Sequence, residues 1–388
     1  MQAVILVGGR GTRLGKLTAN CPKPMLPVAG RPFLFYVIEA LQRHGVDEIL
    51  LLTGYLGATF DALIAEYSDE LCHLRIVQES VPLGTGGALL HAQKYLAEQF
   101  LVLNGDTLFD INFSDFCSTP PPPDGARLAL RRVEDASRYG KVELHAERVV
   151  TMNEKGASGD GLINGGIYYV HKGSLSLLPA GESSLERQLF PALAAQGKLE
   201  GKAYAGFFLD IGVPADFESA QVLIPAQRTR PAVFLDRDGV INEDRHYVFR
   251  PEEFAWMPGA REAIRYLNER GYYVFVVTNQ AGIARGYYGR DDVDALHHWM
   301  QRELATAGAH IDRFYLCPHH PDFSGPCDCR KPKPGMLEQC FADWPLVRAQ
   351  SFLIGDKQSD VDAASAAGIR GFLFESGNLL DCVKALTS

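Results

Sequence analysis

The chain has 388 residues, 46% hydrophobic and 22% charged, which excludes a disordered or fibrous protein and by length asks for two domains. Its formal net charge of -9 disfavours broad binding to a nucleic-acid backbone, which rests on a basic face. No apolar run approaches the roughly 20 residues that span a bilayer, and the start, MQAVILVGGRG, reads as a strand rather than a leader, so a cytoplasmic protein is expected, with Cys21, Cys72, Cys117, Cys340 and Cys382 as free thiols.

In chain order, short apolar runs alternate with segments of helical period. They are AVILVGG, EILLLTG, LRIVQE, FLVLNGD and GGIYYV, then AVFLDRDG, YYVFVVTNQ, RFYLCP, SFLIGDKQSD and GFLFES. The alternation predicts strand-helix-strand units and mainly parallel sheets, hence an α/β chain of two doubly wound, Rossmann-like domains. Ligands of such sheets bind beyond the carboxyl ends of the strands, so the residues that end these runs are the candidates. The polar stretch IPAQRTRP, bracketed by prolines, marks the boundary: a first domain over 1–225, a linker over 226–231 and a second domain over 232–388.

The first run breaks into Gly8, Gly9 and Gly11, where backbone amides can approach phosphates, and Arg13 and Lys23 add positive charge. Gly-Gly-x-Gly-Thr-Arg lacks the spacing of the dinucleotide fingerprint, and no Gly-Lys-Ser/Thr makes it a P-loop. FLVLNGD ends in Asp106 and FFLDIGVP carries Asp210; carboxylates from two strands suit one Mg2+ on a triphosphate. With Lys23-Pro24, PLGTGG (Pro82 to Gly87), Glu154-Lys155 and NGGIYYV (Asn164 to Val170), residues 1 to about 225 resemble the sugar-1-phosphate nucleotidylyltransferases. The resemblance implies a GT-A-like nucleotidyltransferase fold and in-line attack of a sugar phosphate on the nucleotide's α-phosphorus. By it, Arg13 and Lys23 stabilise the phosphates and Asp106 and Asp210 bind magnesium. Glu154, Lys155, Asn164 and Gly165 would meet the sugar phosphate, while Gly84, Thr85 and Glu79 would flank the base. A carboxylate at Glu79 can accept from both N1 and N2 hydrogens of guanine, an edge that other bases lack, which favours GTP. Relatives with Glu here also use other nucleotides, and a solvated turn is the alternative account of that residue.

In the second half, FLDRDGVIN sets Asp236 and Asp238 two residues apart after a buried-type strand, which alone could be a simple Asp-Gly turn. YYVFVVTNQ ends in Thr278 and Asn279, RKPKPG supplies Lys331 and Lys333, and SFLIGDKQSD brings Asp356, Lys357 and Asp360. A nucleophilic carboxylate, a second to protonate the leaving oxygen, a hydroxyl, a lysine and a late acidic pair are what an aspartyl-phosphate mechanism needs, with Mg2+ offsetting their charge. Over Ala232 to Ser388 these motifs resemble the haloacid-dehalogenase-like phosphatases of the kind without a large cap. The resemblance implies Asp236 as nucleophile, Asp238 as general acid and base, Thr278 and Lys331 as phosphate clamps, and Asp236, Asp238 and Asp356 around magnesium. Asn279, Arg330 and Lys357 would be further phosphate or substrate contacts.

Cys317-x-His319, seven residues, then Cys327-x-Cys329 offers four ligands of the types that close a tetrahedral, structural zinc site, with a redox pair as the alternative. His319 and His320 are adjacent; the resembling subfamily, which includes heptose bisphosphate and histidinol phosphatases, uses the first, giving His319. The two resemblances together imply consecutive steps on one sugar. The second domain would remove the 7-phosphate of D-glycero-D-manno-heptose 1,7-bisphosphate, and the first would convert the 1-phosphate to GDP-heptose. Expected partners are sugar phosphates and a nucleotide, Mg2+ in both domains and Zn2+ in the second, with no nucleic acid and no membrane; a homo-oligomer is left open. The rivals are a histidinol-phosphatase-like activity, which would have little use for a nucleotidylyltransferase, and a zinc-dependent sensor or nucleic-acid binder, which the acidic balance and the complete catalytic sets oppose.

Overall fold

The computed structural model describes residues 1–9, 11–54, 56–61, 73–152 and 159–387. They form two compact units, one of Met1–Gln42 with Val46–Ile224 and one of Arg43–Gly45 with Pro225–Ser388.

The first unit holds β1 (Gln2–Leu6), α1 (Phe33–Arg43), β2 (Glu48–Thr53), β3 (His73–Gln78), α2 (Gly84–His91), β4 (Gln99–Asn104), β5 (Thr107–Phe109), β6 (Ala126–Val133), β7 (Lys141–His145), β8 (Arg148–Met152), β9 (Gly161–His171), β10 (Leu199–Tyr204), β11 (Phe208–Asp210) and α3 (Pro214–Arg228). Its main sheet has the order β3-β2-β1-β4-β9-β6-β10-β8-β7 among the described residues. Alternate residues of the inner strands serve opposite faces: Ala3, Ile5, Ile49 and Leu51 join one core, Val4, Leu50, Leu52 and Val102 the other. Strands buried on both faces read as continuous apolar runs, which is why they were visible in the sequence.

A mainly parallel sheet was expected here, and the structure is mixed. From β3 to β4 the strands are parallel, but β9 runs antiparallel to both β4 and β6. β9 also pairs β7 directly, and its pairing with β6 shifts register between Asn164 and Tyr168, where Gly166 takes a positive φ of 74°. An antiparallel partner needs no crossover helix, so the run of apolar segments alone does not reveal the switch. β5 and β11 form a separate antiparallel pair. The expected linker also differs: α3 continues through Pro225 to Arg228, and Thr229 N still donates to Pro225 O, so residues 226–228 are the last turn of a helix.

The second unit holds β12 (Ala232–Leu235), α4 (Ala260–Glu269), β13 (Tyr273–Asn279), α5 (Arg290–Thr306), β14 (Arg313–Cys317), α6 (Gly335–Asp343), β15 (Phe352–Gly355), α7 (Gln358–Ala366), β16 (Arg370–Leu373) and α8 (Leu379–Thr387). All neighbours in the order β14-β13-β12-β15-β16 are parallel. α4 buries Ala260, Ala263, Ile264 and Leu267, the spacing of one helix face. Between Asp238 and β13 the only helices among the described residues are the turn Pro251–Glu253 and α4, so no inserted domain covers the sheet end. No helix of the described residues is long and apolar enough to cross a membrane.

In each unit the first strand lies between two parallel neighbours whose connections leave in opposite directions. That is the switch point at which open sheets leave a crevice beyond the strand ends.

Candidate active sites

At the switch point of the first unit lies a cavity of about 690 Å3. Gly8, Gly9, Gly11, Arg13, Lys23, Glu79, Gly84, Thr85 and Asp106 all line it. Gly11 has φ 60° and a side chain there would stand 3.1 Å from Lys23 Cβ, so the turn requires glycine twice over. Antiparallel pairing of β11 with β5 sets Asp210 opposite Thr107, beside Asp106. Lys23 Nζ lies between these carboxylates, 2.5 Å from Asp106 Oδ2 and 3.7 Å from Asp210 Oδ1. Burial first and the charge of Asp106 second push the Asp210 carboxyl up, and its buried Oδ1 has no hydrogen-bond partner. Two close carboxylates with an orphaned oxygen suit a divalent cation, whose charge would supply what the pair lacks.

Glu79 is half committed: Oε2 accepts from Leu83 N at 2.8 Å and so closes the loop that precedes α2. That loop is packed hard, since a side chain on Gly84 (φ 70°) would stand 2.4 Å from Ser183 O. Asn164 and Gly165 do not line the cavity. Asn164 Nδ2 donates to Tyr168 Oη and its Oδ1 accepts from Gly166 N, while any side chain on Gly165 would meet the Phe109 ring at 2.6 Å. Glu154 and Lys155 lie outside the described residues.

In the second unit Asp236, just past β12, is 7% exposed, and Lys331, 4% exposed, reaches it at 3.0 Å. The same ammonium lies 2.5 Å from Asp360 Oδ1 and donates to Val277 O at 2.8 Å. Burial, with help from the Asp360 and Asp238 charges, pushes the Asp236 carboxyl up to about 6 against the pull of Lys331. Ligand oxygens of Asp236, Asp356 and Asp360 lie within 4.8 Å of one another, and Asp356 Oδ1 is buried without a partner, a set that fits a hard cation.

Asp238, expected in that set, is directed elsewhere. Its Oδ1 accepts from Arg237 Nη2 at 2.9 Å and Asn242 Nδ2 at 2.9 Å, and its Oδ2 from Arg237 Nη2 at 2.8 Å and Gln280 Nε2 at 3.2 Å. Arg237 itself is fully buried. The third carboxylate is Asp360, which enters because α7 starts right at the strand end: Lys357 N donates to Asp360 Oδ2, and Gly355 has no room for a side chain against Asp360 Cβ.

Thr278 is buried and its hydroxyl accepts from Gln280 Nε2 at 2.9 Å. Asn279 serves Lys331 rather than standing open: Nδ2 donates to Lys331 O and Oδ1 accepts from Lys331 N, both at 3.2 Å. Lys357 Nζ lies 3.1 Å from Asp244 Oδ2 and 3.4 Å from Asp356 Oδ2. Arg330 Nη1 donates to His319 O at 3.1 Å.

Cys317, His319, Cys327 and Cys329 converge, with ligand atoms within 4.8 Å of one another. Cys317 to Cys327 is 3.7 Å, Cys327 to Cys329 3.5 Å, Cys317 to Cys329 3.1 Å, and His319 Nδ1 stands 3.3 Å from Cys329 and 3.8 Å from Cys317. Ligands of a tetrahedral zinc with bonds of about 2.0–2.3 Å stand roughly 3.4–3.8 Å apart, so the group could hold a metal once the Cys317–Cys329 pair, at 3.1 Å, opens slightly. His320 is occupied otherwise: Nδ1 accepts from Asp322 N and Nε2 lies 3.1 Å from Arg285 Nη2. The loop leaves β14 at Cys317, which is in register with Asn279, and returns to Asn279 at Lys331.

The sequence model of the nucleotidyl transferase family matches residues 2–227, and that of the HAD-hydrolase-like family residues 328–382. A D-glycero-beta-D-manno-heptose-1,7-bisphosphate 7-phosphatase of Rhodopseudomonas palustris is 54% identical over 155 residues, 39% of this chain and 86% of that protein. The chain is a nucleotidyl transferase joined to a HAD-like phosphatase. Its transferase unit is 35% identical over 225 residues to a D-glycero-alpha-D-manno-heptose 1-phosphate guanylyltransferase of Aneurinibacillus thermoaerophilus, 57% of this chain and 97% of that protein. It is also similar to the crystal structure of HddC from Yersinia pseudotuberculosis complexed with GMP-PN, at 31% identity and a TM-score of 0.52 over 57% of this chain and 99% of that one.

In the transferase unit, sequence reasoning missed Glu182 and Glu186, which line the cavity from just before and from within a π-helical turn, Leu185–Leu189. Glu186 Oε2 accepts from Thr85 Oγ1, 101 residues away in sequence, and no local pattern announces a contact of that span. In the phosphatase unit Asp360 was visible as part of an acidic pair, whereas the hold of Arg237 on Asp238 depends on a side-chain rotamer that spacing does not encode.

Proposed function

We propose that the chain performs two consecutive steps on one sugar. The phosphatase unit removes the 7-phosphate of D-glycero-D-manno-heptose 1,7-bisphosphate, and the transferase unit moves GMP from GTP to the resulting 1-phosphate, giving GDP-heptose and pyrophosphate. The observation that carries it is the presence in one chain of two complete constellations, Asp236 with Lys331 and Lys23 between Asp106 and Asp210, each in a unit whose relatives act on the same heptose.

In the phosphatase unit a carboxylate oxygen of Asp236 attacks phosphorus, the bond to the sugar oxygen breaks, and Asp238 returns a proton to that oxygen. Asp238, as a base, then takes a proton from the water that cleaves the aspartyl-phosphate. Lys331 neutralises the phosphoryl oxygens, and Asn279 fixes the backbone from which it reaches. Mg2+ held by Asp236, Asp356 and Asp360 would neutralise charge on the transferring group. Cys317, His319, Cys327 and Cys329 would hold a structural Zn2+ that shapes the approach to Arg330 and Lys331.

In the transferase unit the sugar phosphate oxygen attacks the α-phosphorus in line as the bond to pyrophosphate breaks. Lys23 and Arg13 lie where charge gathers, the Gly8–Gly11 turn offers amides to the triphosphate, and Asp106 with Asp210 would hold a second Mg2+. Glu79 keeps Oε1 for a guanine edge, in line with the GMP-PN held by the Yersinia relative.

The phosphatase relatives name both anomers, beta in the Rhodopseudomonas palustris protein and alpha in that of Burkholderia mallei, whereas the transferase relative names alpha. Nucleotidyl transfer leaves the anomeric carbon untouched and binds it next to the reacting phosphorus, whereas dephosphorylation at C7 happens at the far end of the sugar. The transferase therefore sets the anomer, and it is alpha. Supplying each anomer of the bisphosphate with GTP and Mg2+ should release phosphate from both and GDP-heptose from alpha alone. Failure to release phosphate from either sinks the substrate, and GDP-heptose from the beta anomer sinks the anomer.

A further inference from the structure

The transferase cavity is lined by groups of opposite charge. Gly8, Gly9, Gly11, Arg13 and Lys23 belong to it, and among the described lining residues these two side chains are the only lysine or arginine. Of its carboxylates Glu79, Asp106, Glu182 and Glu186, the first two already have a place in the reading above and the last two do not.

Glu186 is held rigidly on one side: Oε2 accepts from Thr85 Oγ1 and from Ser184 Oγ, both at 2.9 Å. Thr85 Oγ1 in turn accepts from Leu185 N at 2.9 Å, so the α2 start and the π-helical turn are tied together around this carboxylate. Oε1 is left with one long contact, 3.5 Å to Tyr168 Oη. A fixed carboxylate with a free oxygen accepts hydroxyl hydrogens well and repels phosphate. The triphosphate and the attacking 1-phosphate already claim Arg13 and Lys23, so a further phosphate on the sugar would find no lysine or arginine left among the described lining residues and would meet carboxylates instead.

We propose that Glu186, with Glu182 from the same segment, reads sugar hydroxyls and excludes sugars bearing a second phosphate, so that dephosphorylation must precede nucleotidyl transfer. This rests on the reading of the first unit as a sugar-1-phosphate transferase. Both glutamates are specificity determinants, acting through the sugar and not on the reacting phosphorus.

The test uses the full chain carrying Asp236→Asn, in which the bisphosphate persists, and measures pyrophosphate release from GTP with either sugar phosphate. The 1-phosphate should be favoured in kcat/KM by roughly 100-fold or more. Adding Glu186→Gln and Glu182→Gln should shrink that preference at least roughly 10-fold, raise KM for the 1-phosphate and leave KM for GTP in place. Equal use of the two sugars before the glutamates are changed, or an unaltered preference after, overturns the proposal. A rise in KM for GTP matching that for sugar would instead assign Glu186 to the nucleotide and overturn it as well. If the unsubstituted chain makes no pyrophosphate from the 1-phosphate and GTP, it is the underlying assignment that fails.

Discussion

Lys331 is surrounded by what it neutralises: Asp236 at 3.0 Å, Asp360 at 2.5 Å and the Val277 carbonyl at 2.8 Å, all in a dry setting. Removing one partner of a buried charge cluster leaves the rest unpaired, at about 3–5 kcal/mol. Lys331→Ala should therefore abolish phosphate release and also lower the stability of the second unit by that order in metal-free buffer, read from its urea transition, with nucleotidyl transfer retained. Glu79 is a different case. Burial raises its carboxyl above the ordinary range despite the Leu83 N–H bond. A raised pKa means that the group loses its charge earlier as pH falls, and a neutral carboxyl accepts from a guanine N–H more weakly than a carboxylate does. KM for GTP should rise on acidification, starting at a higher pH than an ordinary glutamate would dictate, and Glu79→Gln should raise KM and flatten that profile. A profile unchanged by the substitution would remove Glu79 from base recognition.

At the scale of elements, strand ends were legible and what packs over them was not. Asp106, Asp236 and Asp356 follow buried runs, and a continuous apolar run ending close to a carboxylate needs no tertiary information to be noticed. The antiparallel β9 escaped because a fully buried strand looks the same in either direction. Asp360 reached the carboxylate group of Asp236 and Asp356 through the first turn of α7, where its side chain caps the helix and crowds against Gly355 at once, a coincidence of helix start and strand end. The thiol loop was legible as a ligand set because four soft donors in thirteen residues have few other uses. Metal binding in such loops is worth about 10–16 kcal/mol in small peptides, enough to order the segment unaided. Chelation that removes zinc, followed by Mg2+ restored alone, should cut phosphatase turnover and lower the melting temperature of the second unit, and a zinc-free sample of full activity would contradict it.

For the whole molecule, the sites belong to separate units with separate cores, each resting on its own sheet. Asp236→Asn should silence phosphate release alone and Asp106→Ala nucleotidyl transfer alone, both read in one coupled assay; loss of both from either change in a folded protein would show that the sites are not independent. The division into two α/β units was readable because apolar runs restart after Pro231, while the compact units part at Ile224, inside a helix that runs on to Arg228. Pro225 tolerates the helix it sits in, and a proline pair in sequence does not say which side the helix ends on.

The loop from Cys317 to Lys331 starts and finishes at the same residue, Asn279, by strand register at one end and by paired hydrogen bonds at the other. Its contour length is thereby uncoupled from where the lysine lands. Doubling a closed loop costs only about 0.6 kcal/mol, so extra residues inserted between Asp322 and Gly325, inside the two ligand pairs, should leave the ammonium in place and phosphate release intact. The stretch is therefore a span whose tip evolution or an engineer could lengthen without re-aiming the chemistry beneath it, provided the ligand pairs at its two ends are kept.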